Sequence, residues 1–185
     1  MHKVNVITKI QKIGFLGAGS WGTALASAAR RAGRDVIIHA HEAEVAKSIN
    51  INNENEKFLP GIPLDRKIKA TVDLNELLKS DAIFLVMPAQ YLRETTFKIS
   101  SSWPTFIPAV ICAKGIEQKT GALLSEIVQE NLPSVKQAIL SGPTFAHEVA
   151  KGLPTAVTLA SSDLKTLDAL SIAISSSTFR AYKSR

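Results

Sequence analysis

Three glycines spaced as Gly17-x-Gly19-x-x-Gly22 hold the clearest capacity for chemistry in this chain. A short apolar run, Ile13-Gly14-Phe15-Leu16, leads into them, and an alanine-rich helical pattern follows at once. Strand, tight glycine turn and helix N-terminus, in that order, grip the diphosphate of a dinucleotide. Gly17 permits the sharp turn. Gly19 has no Cβ, so a pyrophosphate can approach the backbone. Gly22 lets the helix pack close to the strand. The free N–H groups and positive dipole end of that helix then face the anion. The competing reading is a glycine turn that serves structure alone.

Other residues lie where they could act on the same ligand. Residues 35–39 read as a second strand, followed by Ala40-His41-Glu42. An acidic residue at such a tip binds a ribose 2′-hydroxyl and selects NAD. Here His41 can donate to a 2′-phosphate, with Arg30 or Arg31 expected nearby, which favours NADPH. Glu42 keeps NADH open. Trp21, at the mouth of the turn, would lay its ring beside the cofactor. Lys114 follows an apolar run and precedes Gly115. A lysine there can hydrogen-bond a substrate oxygen and stabilise developing negative charge. Its alternative is a solvated turn lysine. In Ser141-Gly142-Pro143-Thr144-Phe145-Ala146, Gly142 allows close backbone approach, and Thr144 can cap the next helix or bind a ligand oxygen. Glu148, near that helix start, reads as structural. His147 reads as exposed, and Trp103 as a packing residue. No metal-ligand spacing, nucleophile elbow or P-loop lysine is found.

These residues need elements to position them. Gly33, after Arg30-Arg31-Ala32, is placed to stop the first helix. A helix is expected over 43–50, a polar and turn-rich stretch over 50–63, and a strand over 68–71. Asp73 caps a short helix over 74–79. Residues 82–86 form a continuous apolar run, as in a central parallel strand buried on both faces. Pro88 ends that ladder, suits the first turn of a helix over 90–100, and is a further candidate cofactor contact. Strands are expected over 109–113, 136–140, 155–160 and 177–182. Helices are expected over 121–131 and from Asp163. Strand and helix alternate, which predicts an α/β fold: a Rossmann-type, mostly parallel twisted sheet with helices on both faces. Ligands of such sheets sit at the carboxyl ends of the strands. Met87-Pro88, Lys114-Gly115 and the 141–144 loop all fall at those ends, so they should form one site.

The chain has 185 residues, which suits one domain. Residues 1–12 are expected to be an N-terminal extension and 13–185 the nucleotide-binding domain. A net charge of +6 raises the question of nucleic acid. The cations are spread out, with no basic run and no aromatic interleaving, so a phosphate-bearing cofactor and substrate account for the sign equally well. No apolar run approaches the ~18 residues of a membrane span, and no signal peptide is seen at the start. The single cysteine, Cys112, excludes an internal disulfide and fits a reducing cytoplasm.

Five ordered segments carry a resemblance: residues 17–26, Phe58-Leu59-Pro60, Ala113-Lys114-Gly115-Ile116-Glu117, Ser141-Gly142-Pro143-Thr144-Phe145-Ala146-x-Glu148, and Gly152-Leu153-Pro154-Thr155-Ala156. Together they closely resemble the bacterial NAD(P)-dependent glycerol-3-phosphate dehydrogenase family, from about residue 12 to 182. The resemblance implies an oxidoreductase that moves a hydride between NADPH or NADH and dihydroxyacetone phosphate or sn-glycerol 3-phosphate. Such an enzyme is cytoplasmic, feeds glycerophospholipid synthesis and can form a homodimer at full length. By resemblance, Gly17, Gly19, Ser20, Trp21, Gly22, His41, Pro88 and Ala146 are cofactor positions. Lys114 touches cofactor and substrate, and Gly142 and Thr144 touch substrate. The family's proton-transfer lysine lies in a Gly-x-x-x-Lys-Asn segment beyond the Phe179-Arg180-x-Tyr182 strand, which this sequence does not reach. Its all-helical C-terminal domain is likewise expected to be absent, leaving the 185 residues without turnover by themselves. Two other readings remain at this point. One is a non-catalytic dinucleotide-binding module or degenerate remnant. The other is a reductase of another substrate on the same fold, against which the 141–146 segment argues.

Overall fold

A computed structural model describes residues 9–185. Along the chain the elements are β1 (Lys12–Leu16), α1 (Ser20–Arg31), β2 (Asp35–His39), α2 (Ala43–Asn52), β3 (Glu54–Asn55), β4 (Leu59–Pro63), β5 (Lys69–Thr71), α3 (Leu74–Leu77) and β6 (Ala82–Leu85). They continue with α4 (Leu92–Ile99), β7 (Ala109–Ile111), α5 (Leu124–Asn131), β8 (Gln137–Ser141), α6 (Ala146–Ala150), β9 (Thr155–Ala160), α7 (Leu164–Ile174) and β10 (Phe179–Ser184).

Among the described residues, eight strands form one sheet in the order β10-β9-β8-β7-β6-β1-β2-β5. The six strands from β8 to β5 run parallel, and β9 turns antiparallel to β8. Strand order reverses beside β1. The chain goes out through β2 to β5, then returns to lay β6 on the other side of β1. A crevice opens at such a switch point, outside the carboxyl ends of the strands. This is the Rossmann-type sheet expected from the sequence.

Alternation along the central strands sorts their side chains between two cores. Ile13, Phe15, Phe84 and Val110 pack with Leu25 of α1, Val149 of α6 and Leu167 and Leu170 of α7. Leu16, Ile83, Leu85 and Ile111 pack with Leu77 of α3, Leu92 of α4 and Ile127 of α5. Helices therefore cover both faces. Phe15 and Phe84 meet across the first core with ring centroids 5.1 Å apart. Gly14 leaves room for α3: a Cβ there would stand 2.9 Å from Leu77 and from Ser80 Oγ.

Several boundaries differ from expectation for local reasons. Ile10 is buried and β1 begins at Lys12, so the sheet starts inside the expected extension, whose residues 1–8 lie outside the described residues. The stretch 50–63 is not simply turn-rich. α2 runs on to Asn52, and β3 and β4 pair as an antiparallel hairpin. β7 stops at Ile111 because the N–H groups of Cys112 and Ala113 both turn to the Leu85 carbonyl, at 3.0 and 3.1 Å. α5 begins at Leu124, three residues after Gly121, whose φ of +74° is not helical. β10 lies two residues later than expected. Trp103 packs as expected, with Nε1 donating to the Ile107 carbonyl at 2.9 Å.

Candidate functional site

Each glycine of the first turn has a physical reason in the structure. Gly17 adopts φ +124°, a region that favours glycine. A Cβ on it would lie 2.9 Å from Met87 N and the Val86 carbonyl carbon, so the turn abuts the loop after β6. A Cβ on Gly22 would fall 2.0 Å from the Gly17 carbonyl oxygen, which fixes α1 tightly over the turn. Gly19 is different. It has ordinary extended backbone, φ −66° and ψ 177°, and a Cβ on it would meet nothing within 4 Å. Strain therefore does not require glycine there, and the space beside it is open.

Gly19 caps α1 without a side-chain hydrogen bond, and no acidic residue occupies the first turn. The leading N–H groups of α1 are left to a ligand or water, at the positive end of a twelve-residue helix. Trp21, half-buried just beyond, has its indole N–H buried without a partner. An open cradle and unclaimed helix N–H groups together fit an anionic dinucleotide.

The loops expected to converge do so. β1, β6, β7 and β8 are consecutive parallel neighbours, with Leu16, Leu85, Ile111 and Ile139 in one register row. Three strand spacings of about 4.8 Å set the Gly17 turn and the Gly142 loop roughly 14 Å apart along one edge. Pro88 is exposed between them, at the start of a single 3-10 turn that leads into α4. Lys114 and Gly115 are exposed after β7, and Gly115 has φ +111°.

Lys114 stands on an anchored loop. Gln90 donates to the Ile116 carbonyl at 2.9 Å and accepts from the Gln118 N–H at 2.9 Å. Arg93 Nε meets both carboxylate oxygens of Glu117, at 2.9 and 3.0 Å, and its guanidinium also reaches Glu130. Thr120 donates its hydroxyl to Glu117 as well. Glu117 is 6% exposed, while the Arg93 side chain stays about one-third exposed. The bond from Arg93, then that from Thr120, holds the Glu117 carboxyl below the usual carboxylate range.

That depression has a pH consequence. The unfolded carboxyl titrates near ~4.3 and the folded one lower. Its stabilisation is complete above the unfolded value and is lost as pH falls through the folded one. Glu117→Gln should therefore flatten the fall in Tm between about pH 5 and pH 3. Equal slopes for the two proteins would show that this carboxylate is not a source of acid sensitivity.

The third loop holds a correction, at Thr144. Gly142 lies close against β9, where a Cβ would stand 2.9 Å from Val157 Cγ1 and 3.1 Å from the Ala156 carbonyl oxygen. Thr144 does not cap α6, whose N-cap is Phe145 with no side-chain bond. Its hydroxyl is buried and has no partner among the described residues. Ala146 packs partly buried beside α1, and His147 and Glu148 are exposed.

The second-strand tip holds another. His41 is exposed after β2. Arg30 and Arg31 are not near it. They end α1, ~18 Å along the helix from its start, beside the amino ends of the strands. Arg30 pairs with Asp35 and Asp65, and Arg31 donates to the Val149 and Ala150 carbonyls that end α6. The cation near the tip is Lys57 of the hairpin, which pairs with Glu42. Sequence reading missed Lys57, Asn55 beneath the glycine turn, and the Arg93–Glu117 anchor.

With this geometry in place, comparison with known proteins is specific. A model of the "NAD-dependent glycerol-3-phosphate dehydrogenase N-terminus" family matches residues 12–167. A relative from Paramagnetospirillum magneticum, named glycerol-3-phosphate dehydrogenase [NAD(P)+], is 49% identical over 95% of this chain and 64% of its own length. One of the same name from Rhodospirillum rubrum is 51% identical over 95% of this chain and 50% of its own. The crystal structure of a glycerol-3-phosphate dehydrogenase from Coxiella burnetii superposes with a TM-score of 0.88 at 33% identity, covering 95% of this chain and 54% of that one. The chain thus spans about half to two-thirds of the length of these relatives. Matched by the family model over most of its residues, the chain belongs to the NAD-dependent glycerol-3-phosphate dehydrogenase N-terminal family.

Proposed function

We propose that this chain binds NADPH or NADH across the carboxyl edge of its sheet and forms the nucleotide-binding part of a glycerol-3-phosphate dehydrogenase. The observation that carries this is the open space at Gly19, framed by two glycines that packing does require. The unit takes in residues 13–185 together with the buried Ile10 and the start of β1 at Lys12. Gly17, Gly19, Ser20 and Gly22 take the diphosphate, and Trp21, Pro88 and Ala146 line the rest of the cofactor's path. His41 faces the adenosine ribose. Glu42 is neutralised by Lys57, which lowers the cost of a 2′-phosphate and favours NADPH.

When bound, the nicotinamide supplies or accepts the hydride exchanged with dihydroxyacetone phosphate or sn-glycerol 3-phosphate. Lys114 donates a hydrogen bond to the substrate's C2 oxygen and stabilises the negative charge that develops there. Its loop is held by Gln90 and Arg93, so little reorganisation accompanies the reaction. The Thr144 hydroxyl and the backbone at Gly142 contact the substrate from the next strand end. No helix among the described residues is long and apolar enough to cross a membrane. Cys112, a buried free thiol whose pKa burial raises, suits a reducing cytoplasm. The product fits supply of glycerophospholipid backbones.

Titration calorimetry of the purified chain tests the cofactor reading. NADPH should bind, and more tightly than NADH. No binding of either would refute the assignment, and tighter NADH would refute the role of the tip. A second arm adds dihydroxyacetone phosphate to the NADPH complex. Lys114→Met should weaken that step, and equal affinity would remove Lys114 from the substrate site.

A further inference from the structure

We infer that Asn55, together with Thr23, is a positioning residue that aims the backbone N–H groups of the glycine turn at the cofactor's diphosphate. This rests on the proposed reading of the turn as a cofactor site. Asn55 comes from the β3–β4 hairpin, far from the motif in sequence, yet it is fully buried beneath it. Its Nδ2 donates to the Ala18 carbonyl at 2.7 Å and to Thr23 Oγ1 at 2.8 Å. Its Oδ1 accepts from the Phe58 N–H at 3.2 Å. A carbonyl oxygen can only accept, so the amide's orientation is fixed by its partners. Thr23 Oγ1 spends its own proton on the Gly19 carbonyl at 3.0 Å.

Consecutive carbonyls, those of Ala18 and Gly19, are therefore turned inward onto one polar pair. In a planar trans peptide the N–H points opposite to the C=O. The N–H groups of Gly19 and Ser20 must then point away from that pair, and a Cβ on Gly19 would meet nothing within 4 Å. The Gly19 carbonyl is also held by the Thr23 N–H at 3.0 Å, but the Ala18–Gly19 peptide has no such helix bond and could otherwise rotate at little cost, because glycine tolerates many backbone angles. The Asn55–Thr23 pair removes that freedom before the ligand arrives, which lowers the ordering cost of binding.

The hairpin is fixed well enough to serve as a buttress. Ser48 donates to the Glu54 carbonyl at 2.7 Å, Glu54 Oε1 accepts from the Gly61 N–H at 2.6 Å, and the Leu64 N–H donates to the Asn53 carbonyl at 2.7 Å. Leu59 and Ile62 of β4 are buried in the core. The amide has a structural share, since its Oδ1 satisfies the Phe58 N–H of its own hairpin, but its two Nδ2 bonds reach out of the hairpin to Ala18 and Thr23. Through Ala18 directly and through Thr23 at one remove, those bonds reach the two peptides that frame the proposed diphosphate position.

The test compares the chain with Asn55→Ala, titrating NADPH at a temperature where circular dichroism shows both fully folded. Affinity should fall about tenfold, equal to about 1.4 kcal/mol. The phosphorus resonances of the bound diphosphate should move toward those of free NADPH. Unchanged affinity in a folded variant would overturn the proposal, because a residue serving only the fold changes Tm and not the bound diphosphate. If Asn55→Ala does not fold, Thr23→Val carries the same comparison, with the same loss expected and unchanged affinity again overturning it. Failure of both to fold would assign these contacts to the fold and overturn the positioning role. Failure of the unsubstituted chain to bind NADPH or NADH would refute the underlying cofactor reading, a result separate from any effect of Asn55.

Discussion

Gly19→Val should leave the fold of this chain intact and lower its affinity for NADPH by roughly a hundredfold or more, equal to at least about 2.7 kcal/mol. The two effects separate because of where the new side chain goes. The backbone at Gly19 is extended, at φ −66° and ψ 177°, which a β-branched residue adopts without strain. No atom lies within 4 Å of its Cβ position. Valine is a poorer N-cap than glycine, but it also restricts the unfolded chain, worth ~0.4–1 kcal/mol in the opposite direction. These offset each other, so Tm should move by no more than about 2 °C. The branched side chain would instead fill the space where the diphosphate approaches the unclaimed N–H groups of α1. Calorimetry and a thermal melt on one preparation check both halves. A variant that binds NADPH as well as the parent would show that the diphosphate lies elsewhere. A variant that melts far lower would show that Gly19 serves packing after all.

Much of this was legible in the sequence because the signals are local. The runs at residues 13–16 and 82–86 read as central strands since both faces of a parallel strand are buried, which leaves no polar alternation to confuse them. The glycine turn is legible because each position has a separate stereochemical reason. The carboxyl-edge clustering of Pro88, Lys114 and the 141–144 loop follows from parallel topology alone.

What was missed depends on partners distant in sequence. The β3–β4 hairpin holds Pro60 and Pro63 and a register shift at Glu54–Asn55, and no two-residue turn signal marks it. Asn55 reads as one more polar residue in a polar stretch, and only the fold sets it under Ala18. Gly142 has a packing reason that the sequence does not show, because the neighbouring β9, antiparallel to β8, brings Val157 against it. Arg30 and Arg31 are close in sequence to the second-strand tip, but a helix of twelve residues carries them to the opposite edge of the sheet. Charge can be counted in a sequence, whereas its direction along a helix must be worked out from the turns between.

Gly22→Ala should have the opposite character, and its sign is the informative part. Glycine inside a helix is less favourable than alanine by ~1 kcal/mol, so propensity alone predicts that this substitution stabilises α1. The structure predicts the reverse. The alanine Cβ would sit 2.0 Å from the Gly17 carbonyl oxygen and 3.1 Å from its carbon, and both are backbone atoms that no rotamer change can move. The Gly17 peptide cannot retreat either, because Gly17 is already packed against the backbone of Val86 and Met87. The first turn of α1 must lift from the loop, disturbing the Thr23 N–H and hydroxyl bonds to the Gly19 carbonyl, each 3.0 Å. Overpacking costs typically 1–3 kcal/mol, and more when backbone must shift, so a net loss of about 3 kcal/mol is expected. For a chain of this length that lowers Tm by roughly 6–12 °C. NADPH affinity should fall too, since the helix N–H groups move with the turn. A thermal melt decides the matter: a Tm equal to or above the parent's would mean that helix propensity outweighs the contact and that α1 does not press on the glycine turn as closely as 2.0 Å implies.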